Sequence, residues 1–237
     1  MAHGKETLMS QTLLIDADDT LWENNVYFER AIADFISFLN HRDYSPEQVR
    51  EVLNDVEREC IMTHGYGLLS FSHSLARTFE TLSVEPLTDE LRQTIQGFAL
   101  QIADHPVEFL PEVPETLAYL ATRHHLILVT KGEIAEQSGK VERSGIKEYF
   151  NAVEIVAEKS PNTYREVVSK YELASDSTWM IGNSPKSDIN PALAAGINAV
   201  FIPHAGTWVL KHEEVAIAEP PSRLLVVESF SRLGEHF

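Results

Sequence analysis

Six short apolar runs, separated by longer amphipathic stretches, constrain the fold of this chain more than any other feature of its sequence. Buried parallel strands have near-continuous apolar sequences, whereas apolar residues spaced three and four apart are typical of helices. The predicted strands are residues 12–16, 125–130, 151–156, 177–182, 198–202 and 224–227. Helical stretches of crossover length follow the second, third and fourth strands, at 133–145, 161–173 and 185–196. This alternation predicts an α/β fold with a doubly wound, Rossmann-like parallel sheet.

A long helical segment separates the first predicted strand from the second. Helical apolar spacing recurs there in four stretches, at residues 25–40, 45–60, 69–82 and 88–103. Pro106, Pro111 and Pro114 mark the return to the sheet, because proline interrupts helices. We therefore predict an inserted all-helical domain at residues 22–110 and an α/β core made of residues 1–21 and 111–237.

The charge balance limits the partners that we expect. Asp and Glu outnumber Lys and Arg by 36 to 19, which gives a formal net charge of −17. Such a charge repels nucleic acids and anionic membrane surfaces, so we expect neither as a partner. An anionic substrate would need local positive charge from a metal ion, a lysine or a helix N-terminus. The oligomeric state is open, and a homo-oligomer is compatible with the composition.

Cysteine usage and hydropathy further limit the class of protein that we expect. Cys60 is the single cysteine, which excludes an intramolecular disulfide and a Cys-rich zinc site. The first residues lack the apolar stretch of a signal peptide, and no segment has the roughly 18 uninterrupted apolar residues of a membrane helix. We expect a cytoplasmic protein.

Polar residues follow four of the predicted strands, at the ends where open α/β sheets bind their ligands. The candidates are Asp16, Asp18, Asp19 and Thr20; Thr130, Lys131 and Gly132; Lys159; and Gly182, Asn183, Ser184 and Asp188. Because the carboxyl ends of parallel strands meet at one edge of a sheet, we expect these four segments to form one site.

Two acids after the first strand have complementary roles in this interpretation. The carboxylate of Asp16 can attack phosphorus, and the resulting aspartyl-phosphate divides one difficult displacement into two easier ones. Asp18 can protonate the leaving alkoxide and later accept a proton from water, provided that its environment holds its pKa above that of Asp16.

Several acids close together predict Mg²⁺, a hard cation that prefers oxygen ligands. Asp16 and Asn183 are the best side-chain ligands, and the backbone carbonyl of Asp18 is a third candidate. Asp188 is either a direct ligand or a residue that orients a bound water and Lys159.

The phosphoryl group also needs donors and positive charge. Thr130, with the backbone N–H groups of Lys131 and Gly132, is the predicted source of hydrogen bonds to the phosphoryl oxygens. Lys159 is predicted to supply the positive charge that the chain as a whole lacks.

Four segments of the chain resemble, in order, the four motifs of the haloacid dehalogenase-like hydrolases. They are DADDTL at 16–21, VTKG around Thr130, Lys159 before Ser-Pro, and IGNSPKSDI at 181–189. The resemblance implies that residues 22–110 are a type 1 cap, which closes over the active site and selects the substrate. It also implies phosphate ester chemistry, since the dehalogenase branch has a tyrosine where this chain has Asp18. One departure is Asn183, a neutral residue where the fourth motif usually has an acid.

Two further segments each have two possible roles. Tyr66 and Gly67 lie between two predicted cap helices, in a loop that either only connects them or contacts substrate. His204 and Trp208 follow the fifth strand, where they either border the site or lie outside it.

The leading hypothesis is a Mg²⁺-dependent phosphatase acting on a small phosphorylated metabolite. One alternative is a sugar phosphate mutase of the β-phosphoglucomutase kind, which also needs both Asp16 and Asp18. Another is a phosphate-binding protein in which Asn183 has weakened catalysis. A response-regulator receiver also combines acids, Thr and Lys around Mg²⁺, but it needs an acceptor aspartate on a middle strand, and residues 153–158 contain none.

Overall fold

A computed structural model describes residues 10–39 and 43–237. The strands are β1 (Thr12–Ile15), β2 (His125–Lys131), β3 (Ala152–Val156), β4 (Thr178–Gly182), β5 (Asn198–Phe201) and β6 (Leu224–Val226). They form one parallel sheet in the order β3-β2-β1-β4-β5-β6, which confirms the predicted doubly wound α/β fold.

Strand β1 lies at the centre of the sheet, and its apolar sequence explains the position. Leu13, Leu14 and Ile15 are all 0% exposed because helices cover both faces. Ile15 pairs with Leu128 of β2 on one side and with Ile181 of β4 on the other. Strand β4 ends one residue and β2 three residues beyond these partners, so the residues that follow the three strands meet at one edge of the sheet.

The helices of the core are α5 (Val113–Ala121), α6 (Ile134–Ser144), α7 (Pro161–Lys170) and α8 (Asn190–Ala195). Alternate residues of β1 enter different hydrophobic clusters. Leu13 and Ile15 pack with Leu117 and Val141 on one face, and Leu14 packs with Tyr164 on the other. The period of two along the strand thus gives the sheet two separate apolar layers.

The segment between β1 and β2 is helical, as predicted, with α1 (Asn25–Leu39), α2 (Pro46–His64), α3 (Leu68–Leu82) and α4 (Asp89–Leu100). These helices bury their apolar faces against one another, with Phe35, Leu53, Leu75 and Ile95 at the centre of a separate cluster. Helix α2 begins with a capping box between Ser45 and Gln48. The segment therefore has a core of its own.

The chain enters and leaves the helical segment side by side. Trp22 forms an antiparallel bridge with Phe109, and the N–H of Leu110 donates to the carbonyl of Leu21 at 2.9 Å. These contacts lie next to the predicted boundaries at 22 and 110, although the division into domains stays a prediction. Residues 1–9 of the predicted core and the predicted helix end at residue 40 lie outside the described residues. Within the described ranges, no helix is long and apolar enough to cross a membrane.

Candidate active site

Asp16 follows β1 directly and is only 4% exposed. Its N–H donates to the carbonyl of Ile181 at 2.9 Å, which fixes its backbone to the central strands. Its Oδ1 lies 2.5 Å from Nζ of Lys159, and its Oδ2 accepts from the hydroxyl of Thr20 at 2.9 Å. The carboxylate is thus oriented by one charged and one neutral donor.

The turn after Asp16 leads the chain into the first helix of the insertion. Asp19 adopts a left-handed conformation with φ of 64°, which aspartate tolerates better than most residues. Its Oδ1 accepts from the N–H groups of Asn24 and Asn25, each at 2.9 Å. Asp19 therefore binds donors at the beginning of α1 that would otherwise lack partners.

Lys159 lies between two carboxylates. Besides Asp16, its Nζ donates to Oδ1 of Asp188 at 2.7 Å, and the side chain of Lys159 is almost fully buried. Burial disfavours the ammonium, but the charges of Asp16 and Asp188 outweigh it and raise the pKa of Lys159. Lys159 consequently stays cationic in the site, as the sequence predicted.

Asp188 is held by an unusually close approach of the backbone. Asp188 lies in a π-helical turn at Pro185–Ile189, and its Oδ2 accepts from the N–H of Ser184, the residue before that turn, at 2.9 Å. A Cβ at Gly182 would lie only 2.4 Å from Cγ of Asp188, so only glycine fits there. Burial, reinforced by the charge of Asp16, raises the pKa of Asp188 in spite of Lys159. The carboxylate orients Lys159, which agrees with one of the two predicted roles.

Asp18 is buried in a network of donors contributed mainly by α6. Its carboxylate accepts from Nε1 of Trp22 at 2.8 Å, from Nε2 of Gln137 at 3.1 Å and from Nζ of Lys140 at 3.1 Å. Burial raises the pKa of Asp18, but Lys140, Lys211 and these hydrogen bonds outweigh it and lower the pKa below its ordinary value. The carboxylate of Asp18 is therefore ionised in the unliganded site. The sequence prediction, a pKa of Asp18 above that of Asp16, stays a prediction.

The residues after β2 are arranged differently from the sequence prediction. The hydroxyl of Thr130 donates to Oε1 of Gln137 at 3.1 Å, and the N–H of Gly132 donates to the carbonyl of Val156 at 3.1 Å. The prediction that the Gly132 N–H is free for phosphate is wrong, because the β2–β3 pairing extends one residue further and uses it. Nζ of Lys131, in contrast, reaches Ser187 beside the site at 3.2 Å.

Side-chain oxygens of two predicted metal ligands lie next to the same hydroxyl group. Oδ2 of Asp16 and Oδ1 of Asn183 both accept from the Thr20 hydroxyl, at 2.9 and 3.4 Å. Nδ2 of Asn183 donates to Thr207 at 2.9 Å, which turns the amide oxygen toward Asp16. These oxygens have the donor chemistry that Mg²⁺ prefers.

Lysines bind the carboxylates of the other two predicted ligands. Asp18 pairs with Lys140 and Asp188 with Lys159. The described residues contain no group of three or more His, Cys, Asp or Glu side chains that could hold a metal ion. Lys159 also binds Asp16, whose other carboxylate oxygen lies near the amide oxygen of Asn183. Direct metal ligation by the side chains of Asp18 and Asp188 stays a prediction.

Sequence reasoning missed Gln137, Lys140, Thr207 and Lys211. Gln137 and Lys140 occur three residues apart on α6, and Lys140 is a surface residue by pattern alone. The available signal was the helix that follows the second motif, because its first turns begin at the same sheet edge. Lys211 comes from the loop after β5, next to Trp208.

A cavity of about 110 Å³ separates this edge of the sheet from the helical insertion, and Asp16, Asp18, Thr130 and Lys159 line it. Tyr66 also lines it, and its hydroxyl donates to Oε2 of Glu158 at 2.9 Å across the cleft. The ring of Tyr66 lies 4.0 Å from Nζ of Lys131. The loop between α2 and α3 thus does more than connect two helices, since it closes one wall of the cavity.

Comparison with known proteins gives a consistent result. Residues 13–202 match the family model described as haloacid dehalogenase-like hydrolase. A haloacid dehalogenase-like family hydrolase from Xanthomonas campestris is 31% identical, with a TM-score of 0.81 over 96% of this chain and 94% of that chain. L-2-haloacid dehalogenase from Xanthobacter autotrophicus is 18% identical, with a TM-score of 0.63 over 96% and 98%, and shares the fold.

One curated relative is a phosphoserine phosphatase from Thermus thermophilus. It is 28% identical over 101 residues, which are 39% of this chain. The match spans 41% of the relative's length.

Proposed function

Since the chain belongs to the haloacid dehalogenase-like hydrolases, we propose that it is a Mg²⁺-dependent phosphatase that hydrolyses a small phosphorylated metabolite through an aspartyl-phosphate on Asp16. The observation that carries the proposal is the pairing of two carboxylates in one cavity. Asp16 is oriented by Lys159, and Asp18 lines the same cavity two residues later. A tyrosine at residue 18, typical of the dehalogenase branch, could not exchange a proton in the same way.

The first step transfers the phosphoryl group to the protein. A carboxylate oxygen of Asp16 attacks phosphorus, the ester P–O bond breaks, and the alkoxide leaves with a proton from Asp18. Asp18 is ionised before substrate binds, so the proton must be acquired when substrate arrives. The negative phosphate next to Asp18 raises its pKa and favours that uptake.

The second step regenerates the enzyme. Asp18 accepts a proton from water, the water oxygen attacks phosphorus, and the bond to Asp16 breaks with release of inorganic phosphate. The cationic Lys159 stabilises negative charge on the phosphoryl oxygens throughout. Asp16 and Asn183 would hold Mg²⁺, which when bound would neutralise further charge on those oxygens.

The proposal is tested by incubating the protein with p-nitrophenyl phosphate and a panel of phosphorylated metabolites, with Mg²⁺ or with EDTA. We expect phosphate release that requires Mg²⁺ and is lost in Asp16→Asn. The matched control is Asp176→Asn, an exposed acid of the core, which should keep full activity. Chloride release from 2-chloropropionate, without phosphate release from any ester, would instead assign the chain to dehalogenase chemistry.

A further inference from the structure

Three helices each contribute a pair of residues to the helical half of the cavity, and α1 and α3 add Asn25 and Phe71. Each pair is four residues apart, so its members lie on the same helix face. The pairs are Phe28 and Ile32 on α1, Glu57 and Ile61 on α2, and Ser70 and Ser74 on α3. Half of these six side chains are apolar, and Glu57 is the one acid that these three helices contribute to the described lining.

Glu57 and Ser70 are buried without the partners that buried polar groups require. Glu57 is 6% exposed and Ser70 is 4% exposed. Neither Oε2 of Glu57 nor Oγ of Ser70 has a hydrogen-bond partner anywhere in the described part of the chain. The hydroxyl of the neighbouring Ser74, by contrast, donates to the carbonyl of Ser70 at 3.0 Å. A buried carboxyl oxygen and a buried hydroxyl without hydrogen bonds are both costly, so these two groups point to a ligand that supplies their hydrogen bonds.

The charges of the cavity are divided between its two halves. Every lysine among the described lining residues belongs to the core, namely Lys131, Lys140, Lys159 and Lys211. A phosphate therefore binds at the sheet edge and is repelled by Glu57 at the other end. A positive group on the same molecule would have the opposite preference.

Aromatic rings in the helical half of the cavity also favour a positive group there. Phe28 and Phe71 pack edge to face with ring centroids 5.0 Å apart, and both line the cavity. Aromatic faces attract cations, and ammonium groups bind well where a carboxylate and aromatic rings combine.

We propose that Glu57 and Ser70 form a subsite for a protonated amine at the end of the substrate remote from its phosphate. The substrate class is therefore an amino-substituted phosphate ester, in which the ammonium donates to the Glu57 carboxylate and the Ser70 hydroxyl. This inference rests on the proposed phosphatase function and adds the chemistry of the substrate's other end.

The test compares kcat/KM for a series of ω-aminoalkyl phosphates of increasing chain length with that for alkyl phosphates of matched length. At the best length we expect the wild type to prefer the amine by about tenfold or more, as for other charge-assisted hydrogen bonds. Glu57→Gln should reduce that ratio to near one, and Ser70→Ala should reduce it partly. Glu51→Gln removes an exposed acid from the same helix and should leave the ratio unchanged.

Different failures have different meanings. Hydrolysis of p-nitrophenyl phosphate with no amine preference, or with a preference that survives Glu57→Gln, overturns the subsite. Equal preference for ω-hydroxyalkyl phosphates overturns the amine as its ligand.

If no ester is hydrolysed, the phosphatase function fails, and calorimetry with ω-aminoalkylphosphonates and alkylphosphonates then decides the subsite. Tighter binding of the aminophosphonate that is lost in Glu57→Gln supports it, and equal binding of both refutes it.

Discussion

The carboxylate of Asp18 is ionised in the unliganded site because Lys140, Trp22 and Gln137 all donate to it. In the proposed phosphatase, its use as an acid therefore depends on the substrate, whose phosphate would raise the pKa of Asp18 on binding. At the scale of single residues, proton transfer from Asp18 to a leaving group therefore depends on substrate binding, because Asp18 carries no proton before the substrate binds.

The acid role of Asp18 predicts a dependence on the leaving group. Alkoxides need a proton as they leave, whereas p-nitrophenolate hardly does. We expect Asp18→Asn to lower the phosphorylation rate for an alkyl phosphate by about 100-fold or more, and that for p-nitrophenyl phosphate much less. Pre-steady-state bursts of nitrophenol and alcohol measure the two rates. Equal losses for both esters would mean that Asp18 does not protonate the leaving group.

Glu57 makes stability depend on pH. Burial raises the pKa of Glu57 to about 7, with Arg50 and Arg58 opposing the rise and Glu29 reinforcing it. Between its unfolded value of 4.5 and 7, the folded state keeps a proton that the unfolded chain releases, so the free energy of unfolding falls as pH rises.

Glu57→Gln should remove this dependence. We expect the variant to match the wild type at pH 4.5 and to be more stable by on the order of 2–3 kcal/mol at pH 8. Urea unfolding across this range measures the difference, with Glu51→Gln as the exposed control. Parallel pH profiles of wild type and Glu57→Gln would contradict the raised pKa.

The sequence predicted which residues of the core meet, but not every bond that they make. Asp16, Lys159 and Asp188 come together because parallel strands end at one edge, which the order of apolar runs reveals. The free N–H of Gly132 was a wrong prediction, because the length of the β2–β3 ladder depends on pairing between distant residues. Lys140 was missed for a similar reason, since its partner Asp18 is 122 residues away.

At the scale of elements, the connection between β4 and α8 determines the position of Asp188. The sequence predicts one helix at 185–196, whereas the structure has a π-helical turn at Pro185–Ile189 followed by the short α8. π-helical turns often occur at functional sites because they reorient one side chain. Apolar periodicity does not detect them, since one wide turn hardly changes the pattern.

Gly182 at the end of β4 is the position most sensitive to an added methyl group. In Gly182→Ala the new Cβ would overlap Asp188, so we expect a loss of about 1–3 kcal/mol in the free energy of unfolding and a fall in kcat. Gly97→Ala is the matched control, because nothing lies within 4 Å of the added Cβ on the exposed side of α4. The control should be neutral or more stable by about 0.5–1 kcal/mol. A Gly182→Ala variant as stable and active as the wild type would show that Asp188 is free to move.

At the scale of the whole molecule, an α/β sheet supplies one end of the cavity, where we propose that phosphate binds, and a helical insertion supplies the other end. The order of helices and strands predicts that division, since each unit has its own apolar pattern. The pattern does not predict the contact of Tyr66 with Glu158 across the cleft, because that contact depends on how the two units pack. It also does not reveal that Glu57 faces the cavity without a partner.

The central claim is that Asp16 carries the phosphoryl group during turnover, and chemical trapping tests it most directly. The protein is mixed with substrate and Mg²⁺, quenched in acid during the burst, and reduced with borohydride, which converts an aspartyl-phosphate to homoserine. Peptide mass spectrometry then locates the change. The account predicts homoserine at residue 16 in the wild type and none in Asp16→Asn. Turnover of the substrate with an unmodified residue 16, or with the modification at another aspartate, would contradict it.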